Sequence, residues 1–271
     1  MPELPEVETT VRGLARRLHG ERVDRLVLNR PDMRFPFPHG LGQRLTGARI
    51  TALDRRAKYG LIHTDRDDTL IFHLGMSGRW RIDPAEPDRH DHLLLFAGGR
   101  LFALNDPRRF GFVDLVPTNT LQAWPAFAVM GPEPLGADFT PEHLHAAFSG
   151  RRQAVKLLLL DQRIVAGLGN IYVCEALWRA RIHPARAAGR VSLAALRRLV
   201  PAIREVLEQS IREGGSTLRD FAGPEGSLGY FAKQFDVYGR TGLPCHRDDG
   251  GAIGRFAQGG RSTWYCPRCQ R

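Results

Sequence analysis

Between Arg22 and Val116 the chain breaks into eight short segments rich in β-branched and aromatic residues, and this rhythm restricts the fold more than any other feature. The segments are Arg22–Asn29, Arg49–Asp54, Tyr59–Thr64, Leu70–Leu74, Arg79–Ile82, His92–Phe96, Arg100–Leu104 and Phe112–Val116. Turn pairs such as Asp67-Asp68, Asp83-Pro84 and Gly98-Gly99 punctuate them. Regular short strands with little helix between them predict a β-sandwich or barrel. A single helix precedes them: Val7, Val11, Leu14 and Leu18 recur at helical spacing, with Glu6 and Glu8 in the first turn, where the helix dipole favours acids.

The pattern then changes twice. Residues 117–140 are irregular and proline-rich, which predicts a linker. Helices are predicted over Pro141–Ser149, Gln153–Leu160, Ile171–Ala180 and Ser192–Arg212. In the last of these Leu193, Leu196, Leu199, Val200, Ile203, Val206, Leu207 and Ile211 form one apolar stripe. Ser192 stands at the N-cap and Gly214-Gly215 at the stop. A glycine-rich stretch through Gly229 leads to a tail, Phe235–Arg271, that holds three of the four cysteines. The expected class is a multidomain α+β protein, with domains at 1–116, 141–235 and 236–271 and the linker at 117–140.

Charge narrows the partner. Lys and Arg number 39 against 29 Asp and Glu, a net +10, which implies a polyanion: nucleic acid or an anionic surface. No apolar run approaches the ~18 residues that span a bilayer, and no basic-then-apolar leader precedes the Pro-Glu start, so a cytoplasmic, nucleoid-associated protein is expected, and a monomer because nothing resembling an interface helix stands apart from the folded zones.

Cys266-Pro-Arg-Cys269 is a knuckle with Cys245 one short hairpin upstream, a pattern similar to a zinc ribbon. The fourth cysteine is missing. Asp248, His246 and Asp249 all lie near enough to Cys245 to supply the remaining ligand, although adjacent Cys245 and His246 do not easily share one tetrahedral ion. The tail is also arginine-rich, as suits phosphate contact.

The opening Met1-Pro2-Glu3-Leu4-Pro5-Glu6-Val7-Glu8 carries the chemistry. Removal of Met1 leaves a chain that starts with a secondary amine. An α-amino group titrates near ~8, so a useful fraction is unprotonated and nucleophilic at neutral pH. Such amines form Schiff bases with carbonyl carbons, and Glu3 sets a carboxylate beside the amine to move protons. With Met1 attached the Pro2 nitrogen is an amide and cannot attack. The competing reading makes Pro2 merely small and the acids a helix cap.

The opening octet together with Arg55-Arg56-Ala57-Lys58-Tyr59, His73-Leu74-Gly75-Met76-Ser77-Gly78, His90-Asp91-His92, Asn105-Asp106-Pro107-Arg108-Arg109-Phe110-Gly111, Gly131-Pro132-Glu133-Pro134-Leu135, Gly167-Leu168-Gly169-Asn170-Ile171-Tyr172 and Val237-Tyr238-Gly239-Arg240, in that order, resembles bacterial formamidopyrimidine-DNA glycosylase along essentially the whole chain. The resemblance implies an N-terminal β-sandwich, a helix–two-turn–helix domain and a zinc ribbon, with duplex DNA across the cleft between the lobes. It implies a bifunctional glycosylase and lyase acting on oxidised purines (8-oxoguanine and formamidopyrimidines). Pro2 would be the nucleophile, Glu3 the proton carrier, Lys58 a phosphate contact or acid, and Arg261 the grip on the phosphate flanking the lesion.

Met76 and Phe110 would fill the stack after base flipping, and Arg108 would pair with the orphaned cytosine. His90, Arg151, Asn170 and Tyr238 are implied backbone contacts. Lys156 is a weaker one, His183 and Cys174 are structural, and Gly214–Gly229 is a lid with Thr217 and Arg219 as base contacts. Counting back from Cys266 at the family spacing reaches Asp249, which makes the expected zinc set Cys245, Asp249, Cys266 and Cys269, with His246 the second choice for the fourth ligand. Two rivals are an endonuclease VIII-type enzyme for oxidised pyrimidines and a non-catalytic DNA-binding relative; the octet and the Met76, Arg108, Phe110 set favour the purine enzyme.

Overall fold

A computed structural model describes residues 2–216 and 231–271. The stretch anticipated as a lid, with Thr217 and Arg219, lies outside the described residues beyond Ser216. The chain divides into two compact units, one of residues 1–128 and 211–232, the other of 129–210 and 233–271.

The first unit opens with α1 (Leu4–Leu18), whose Leu4, Val7, Val11, Leu14 and Leu18 are buried as the spacing predicts. Next come β1 (Val23–Leu28), a short α2 (Leu41–Leu45) that the sequence reading missed, β2 (Ile50–Arg56), β3 (Tyr59–Thr64), β4 (Asp68–His73), β5 (Arg79–Ile82), β6 (Asp91–Ala97), β7 (Arg100–Asn105) and β8 (Phe112–Pro117). They form two four-stranded antiparallel sheets, ordered β1-β6-β7-β5 and β2-β3-β4-β8. One apolar core joins both sheets to the α1 stripe, with Phe72, Trp80, Leu93, Phe102 and Leu104 at its centre. The Phe72 and Trp80 rings meet edge to face at 5.5 Å, the geometry that aromatic quadrupoles prefer. Gly60 on β3 lies under the Phe72 ring so closely that a Cβ there would stand 2.0 Å from it.

The predicted linker is partly folded. A 3₁₀ turn spans Thr118–Ala123 and α3 spans Pro125–Ala128. Leu121 and Phe127 are buried, and the Trp124 indole N–H donates to Asp114 at 2.7 Å. Spaced apolar residues in a proline-rich stretch were too few to show a period.

In the second unit the helices are α4 (Pro141–Phe148), α5 (Val155–Leu159), α6 (Asn170–Arg179) and α7 (Leu193–Arg212), the last running on into residues of the first unit. Caps set their starts: Thr140 Oγ1 accepts from His143 N–H at 3.1 Å, and Ser192 Oγ from Ala195 N–H at 3.3 Å. Strands β9 (Gly254–Gln258) and β10 (Arg261–Tyr265) pair as a hairpin through Gly259-Gly260, both at positive φ, which a two-residue turn of this hand requires.

Gly60→Ala must force the Phe72 ring out of the core, so unfolding free energy should drop by about 1–3 kcal/mol in urea titration. An unchanged midpoint would show that the ring has room to move.

Candidate catalytic and metal centres

The N-terminal segment is held by one carboxylate. Pro2 is buried, and Glu3 and Glu6 are 3% and 2% exposed. Glu6 Oε2 accepts the Glu3 backbone N–H at 2.8 Å, the return arm of a helix-capping box. Glu6 Oε1 accepts both the backbone N–H and the hydroxyl of Ser216 at 2.8 Å. The capping and catalytic readings of the octet are therefore compatible, because the cap is what orders residues 2 and 3.

Lys58 sits in the two-residue turn between β2 and β3, where Ala57 has φ +53°. It is 8% exposed, not the solvated strand end that a basic run usually makes. Arg55 Nε donates to Glu8 Oε2 at 2.8 Å and its NH1 to the Ala57 carbonyl at 2.9 Å, which ties α1 to the turn that carries Lys58. Burial raises the Glu8 pKa, but the guanidiniums of Arg55 and Arg12 outweigh it and hold the carboxyl below its ordinary value.

His73, which the sequence reading passed over, closes this region. Its ring stacks on Phe112 at 5.5 Å and 15°, and Nδ1 accepts from Gly75 N–H at 3.0 Å. Burial, with the charges of Lys58 and Arg34, lowers its pKa from 6.5 to about 4, so the ring is neutral at physiological pH. A histidine inside His-Leu-Gly-Met-Ser-Gly offers no periodic signal of its own.

The Met76, Arg108, Phe110 set is gathered by Asp106, itself fully buried. Asp106 Oδ1 accepts from Ser77 Oγ at 2.6 Å and from Arg108 N–H at 3.3 Å, while Oδ2 accepts from Gly111 N–H at 2.8 Å. Gly75, at φ +61°, lies so close to Phe110 and Gly111 that any Cβ would stand 2.3 Å from their backbone. Two tight turns are thereby pressed together. Met76 is half-buried, Phe110 is 44% exposed, and the Arg108 guanidinium lies 4.9 Å from the Phe110 ring centre. Nearby His90 is half-buried, its N–H on Asp88 Oδ1 at 2.8 Å.

In the second unit, Arg261 opens β10 directly after the Gly259-Gly260 turn and is exposed. The carbonyl of its neighbour Ser262 accepts from Lys156 Nζ at 3.2 Å and from Asn170 Nδ2 at 2.9 Å. Lys156 is fully buried and also donates to Thr263 Oγ1 at 2.7 Å. It is thus a tether of the hairpin, buried rather than at the surface. Asn170 likewise spends its amide on the hairpin.

The Tyr238 and Trp264 rings meet at 4.2 Å with their planes tilted by 48°, and Glu175, fully buried on α6, accepts the backbone N–H groups of Asp236, Val237 and Tyr238 at 2.8–3.0 Å. Burial raises the Glu175 pKa. Arg151 is exposed in the turn between α4 and α5. Cys174 packs in the core, and the His183 ring stacks on Phe256.

Cys245, Asp249, Cys266 and Cys269 place one ligand atom each within 4.8 Å of one another. Cys245 Sγ and Cys269 Sγ are 4.0 Å apart, and Cys266 Sγ and Asp249 Oδ2 are 3.3 Å apart. Zn–S bonds of ~2.3 Å and Zn–O bonds of ~2.0 Å in a tetrahedron give edges of about 3.8 and 3.5 Å, so the donors fit a structural zinc. Burial, then the adjacent Cys266 thiol, push Cys269 up to about 12. His246 is not part of the cluster: Nδ1 lies 3.0 Å from Asp236 Oδ1 and the ring contacts Arg240. Asp248 is also passed over; it takes the positive φ of the turn, +50°.

Around the sulfurs, Trp178 Nε1–H donates to Cys245 Sγ at 3.4 Å, and Arg247 lies over the Trp178 ring at 4.1 Å with its charge favouring the Cys269 thiolate.

A family model described as the formamidopyrimidine-DNA glycosylase N-terminal domain matches residues 1–113, one described as that enzyme's H2TH domain matches 130–222, and one described as a zinc finger found in FPG and IleRS matches 250–271. The formamidopyrimidine-DNA glycosylase of Erythrobacter litoralis is 75% identical over 271 residues, covering 100% of both chains. Among solved structures, the Lactococcus lactis Fpg in complex with DNA containing an abasic site superposes with a TM-score of 0.92 at 34% identity, covering 100% of both chains. The MutM (FPG) protein of Thermus thermophilus gives 0.89 at 39% identity, covering 99% of this chain and 98% of that one.

Two measurements check these centres. Zinc content after dialysis against a chelator should collapse in Asp249→Ala, persist in His246→Ala and recover in Asp249→Cys; full retention in Asp249→Ala would remove Asp249 from the ligand set. Because His73 takes its proton at about 4 when folded and near 6.5 when unfolded, its effect on stability is nil above 6.5 and grows unfavourable as pH falls towards 4, reaching about 3 kcal/mol. His73→Gln should therefore flatten the fall in urea midpoint between pH 7 and pH 5, and an unaltered slope would contradict the assignment.

Proposed function

The chain belongs to the formamidopyrimidine-DNA glycosylase family, and from that premise we propose that it excises oxidised purines from duplex DNA and then cuts the strand through a Schiff base on Pro2. The observation that carries this reading is the ordering of Glu3 by Glu6: Pro2, whose nitrogen becomes a secondary amine once Met1 is removed, and the Glu3 carboxylate are adjacent and buried. With net charge +10, the partner is duplex DNA, from which the damaged nucleotide is flipped before its sugar can be reached.

The reaction starts once Met1 is removed. The Pro2 nitrogen attacks C1′ and the C1′–N9 bond breaks, its electron pair leaving with the base, which picks up a proton. The amine proton goes to a base, and the sugar O4′, protonated by Glu3, leaves C1′ as the iminium forms. The iminium acidifies the C2′ proton. Its loss expels the 3′ phosphate, loss of a C4′ proton then expels the 5′ phosphate, and water frees Pro2.

Lys58 and Arg261 hold the phosphates that flank the lesion. Met76 and Phe110 fill the emptied stack, and Arg108 meets the base opposite. His90, Arg151, Asn170 and Tyr238 contact the backbone. Cys245, Asp249, Cys266 and Cys269 would hold a zinc ion whose service is structural, keeping the Arg261 hairpin folded.

Borohydride treatment of the protein with abasic-site DNA should trap a covalent adduct, and Pro2→Gly should trap far less. Glu3→Gln should lower base excision about 10²–10⁴-fold while leaving DNA binding in place. Excision should be faster from 8-oxoguanine than from thymine glycol duplexes. Wild-type cutting rates in Pro2→Gly would end the nucleophile assignment, and faster thymine glycol excision would reverse the substrate class.

A further inference from the structure

Two phenyl rings stand out among the exposed large apolar side chains: Phe110 at 44% and Phe35 at 53%. The first belongs to the set placed in the DNA stack. The second lies in 30–37, between β1 and α2, to which neither the sequence reading nor the proposed mechanism gives a role.

That loop is rigid. Arg30 donates from Nε and NH2 to Asp32 Oδ1 at 3.0 and 2.7 Å. Met33 N–H donates to the Phe35 carbonyl and Phe37 N–H to the Pro31 carbonyl, both at 3.0 Å. Met33 and Phe37 reach into the core on either side. Phe35 is held at the tip, outside that core. A mobile loop could fold such a ring away from water; one pinned by its own backbone and by two buried neighbours cannot. The backbone hydrogen bonds and the two buried neighbours thus hold the Phe35 ring at the surface.

The loop is also fastened to the Phe110 turn. Arg34 N–H donates to the Gly111 carbonyl at 3.1 Å, Arg109 lies 3.6 Å from Asp32, and the Phe35 ring meets Phe112 edge to face at 5.5 Å. The Arg34 guanidinium stands 5.4 Å from the Phe35 ring centre, and its charge reaches Tyr59 and His73. The acid here, Asp32, is neutralised by Arg30 and Arg109. The surface beside Phe110 thus presents an aromatic face flanked by cations, the combination on which a base stacks while its phosphate is held.

We propose that Phe35 is a second DNA-stacking residue, which contacts a nucleotide next to the extruded one while Phe110 occupies the gap. This rests on the DNA-repair reading, but it makes a separate claim. Phe35 contributes binding and distortion of the duplex and takes no part in the bond changes at C1′.

The test uses the full chain and duplexes with a tetrahydrofuran abasic analogue, carrying 2-aminopurine at each position flanking the lesion in either strand. Phe35→Ala should weaken binding about tenfold or more, and should change the 2-aminopurine signal at one flanking position only. Phe35→Trp should restore both. The melting temperature should fall by no more than a few degrees in Phe35→Ala and not at all in Phe35→Trp, because 53% of Phe35 already faces water. Equal affinity and equal 2-aminopurine signals at all positions for wild type and Phe35→Ala would overturn the proposal. Borohydride trapping on abasic-site DNA runs in parallel. A wild type that binds but traps nothing refutes the catalytic reading, whereas normal trapping with an indifferent Phe35→Ala refutes only the stacking role.

Discussion

One buried carboxylate underlies the order of the N-terminal segment of this protein. Glu6 accepts three hydrogen bonds, one from the Glu3 backbone and two from Ser216, and is almost wholly removed from water. A buried anion is tolerated only when its oxygens are fully engaged, so the geometry is self-enforcing: loss of either partner leaves an expensive charge. Holding the Glu3 N–H fixes the peptide plane between Pro2 and Glu3, and with it the start of α1.

The β-sandwich was legible because strands with one face buried write their register into the sequence: the α1 stripe and the strand segments are found within a residue or two of their predicted places. What escaped has a common physical cause. α2 and α3 are short elements without a full turn of periodicity, and His73 owes its importance to rings and charges brought in by other strands. The metal centre shows the same divide. Spacing pointed to Cys245, Cys266 and Cys269 and put Asp249 ahead of His246; tertiary geometry supplies the reason, since the His246 ring is drawn off by Asp236 and Arg240.

Acidic residues act in three places as organisers of backbone. Glu6 orders the amine end, Asp106 the turn that carries Arg108 and Phe110, and Glu175 the turn that carries Tyr238. In a chain of net charge +10 these anions are buried, so they order the scaffold without opposing the attraction of the surface for a polyanion. Positive charge is left outside, where it meets phosphate.

The hairpin that presents Arg261 is held through the main-chain carbonyl of Ser262, on which Lys156 and Asn170 converge. A carbonyl is the same whatever side chain follows it. Drift at position 262 is therefore invisible to the latch, whereas a change at 156 or 170 is felt at once, one residue away from the arginine. Genetic variation would place the weight on Lys156, on Asn170 and on Thr263, whose hydroxyl Lys156 also grips, and show almost nothing at position 262. The chain reads the path of its own backbone there, and that kind of recognition leaves no signature at the site recognised.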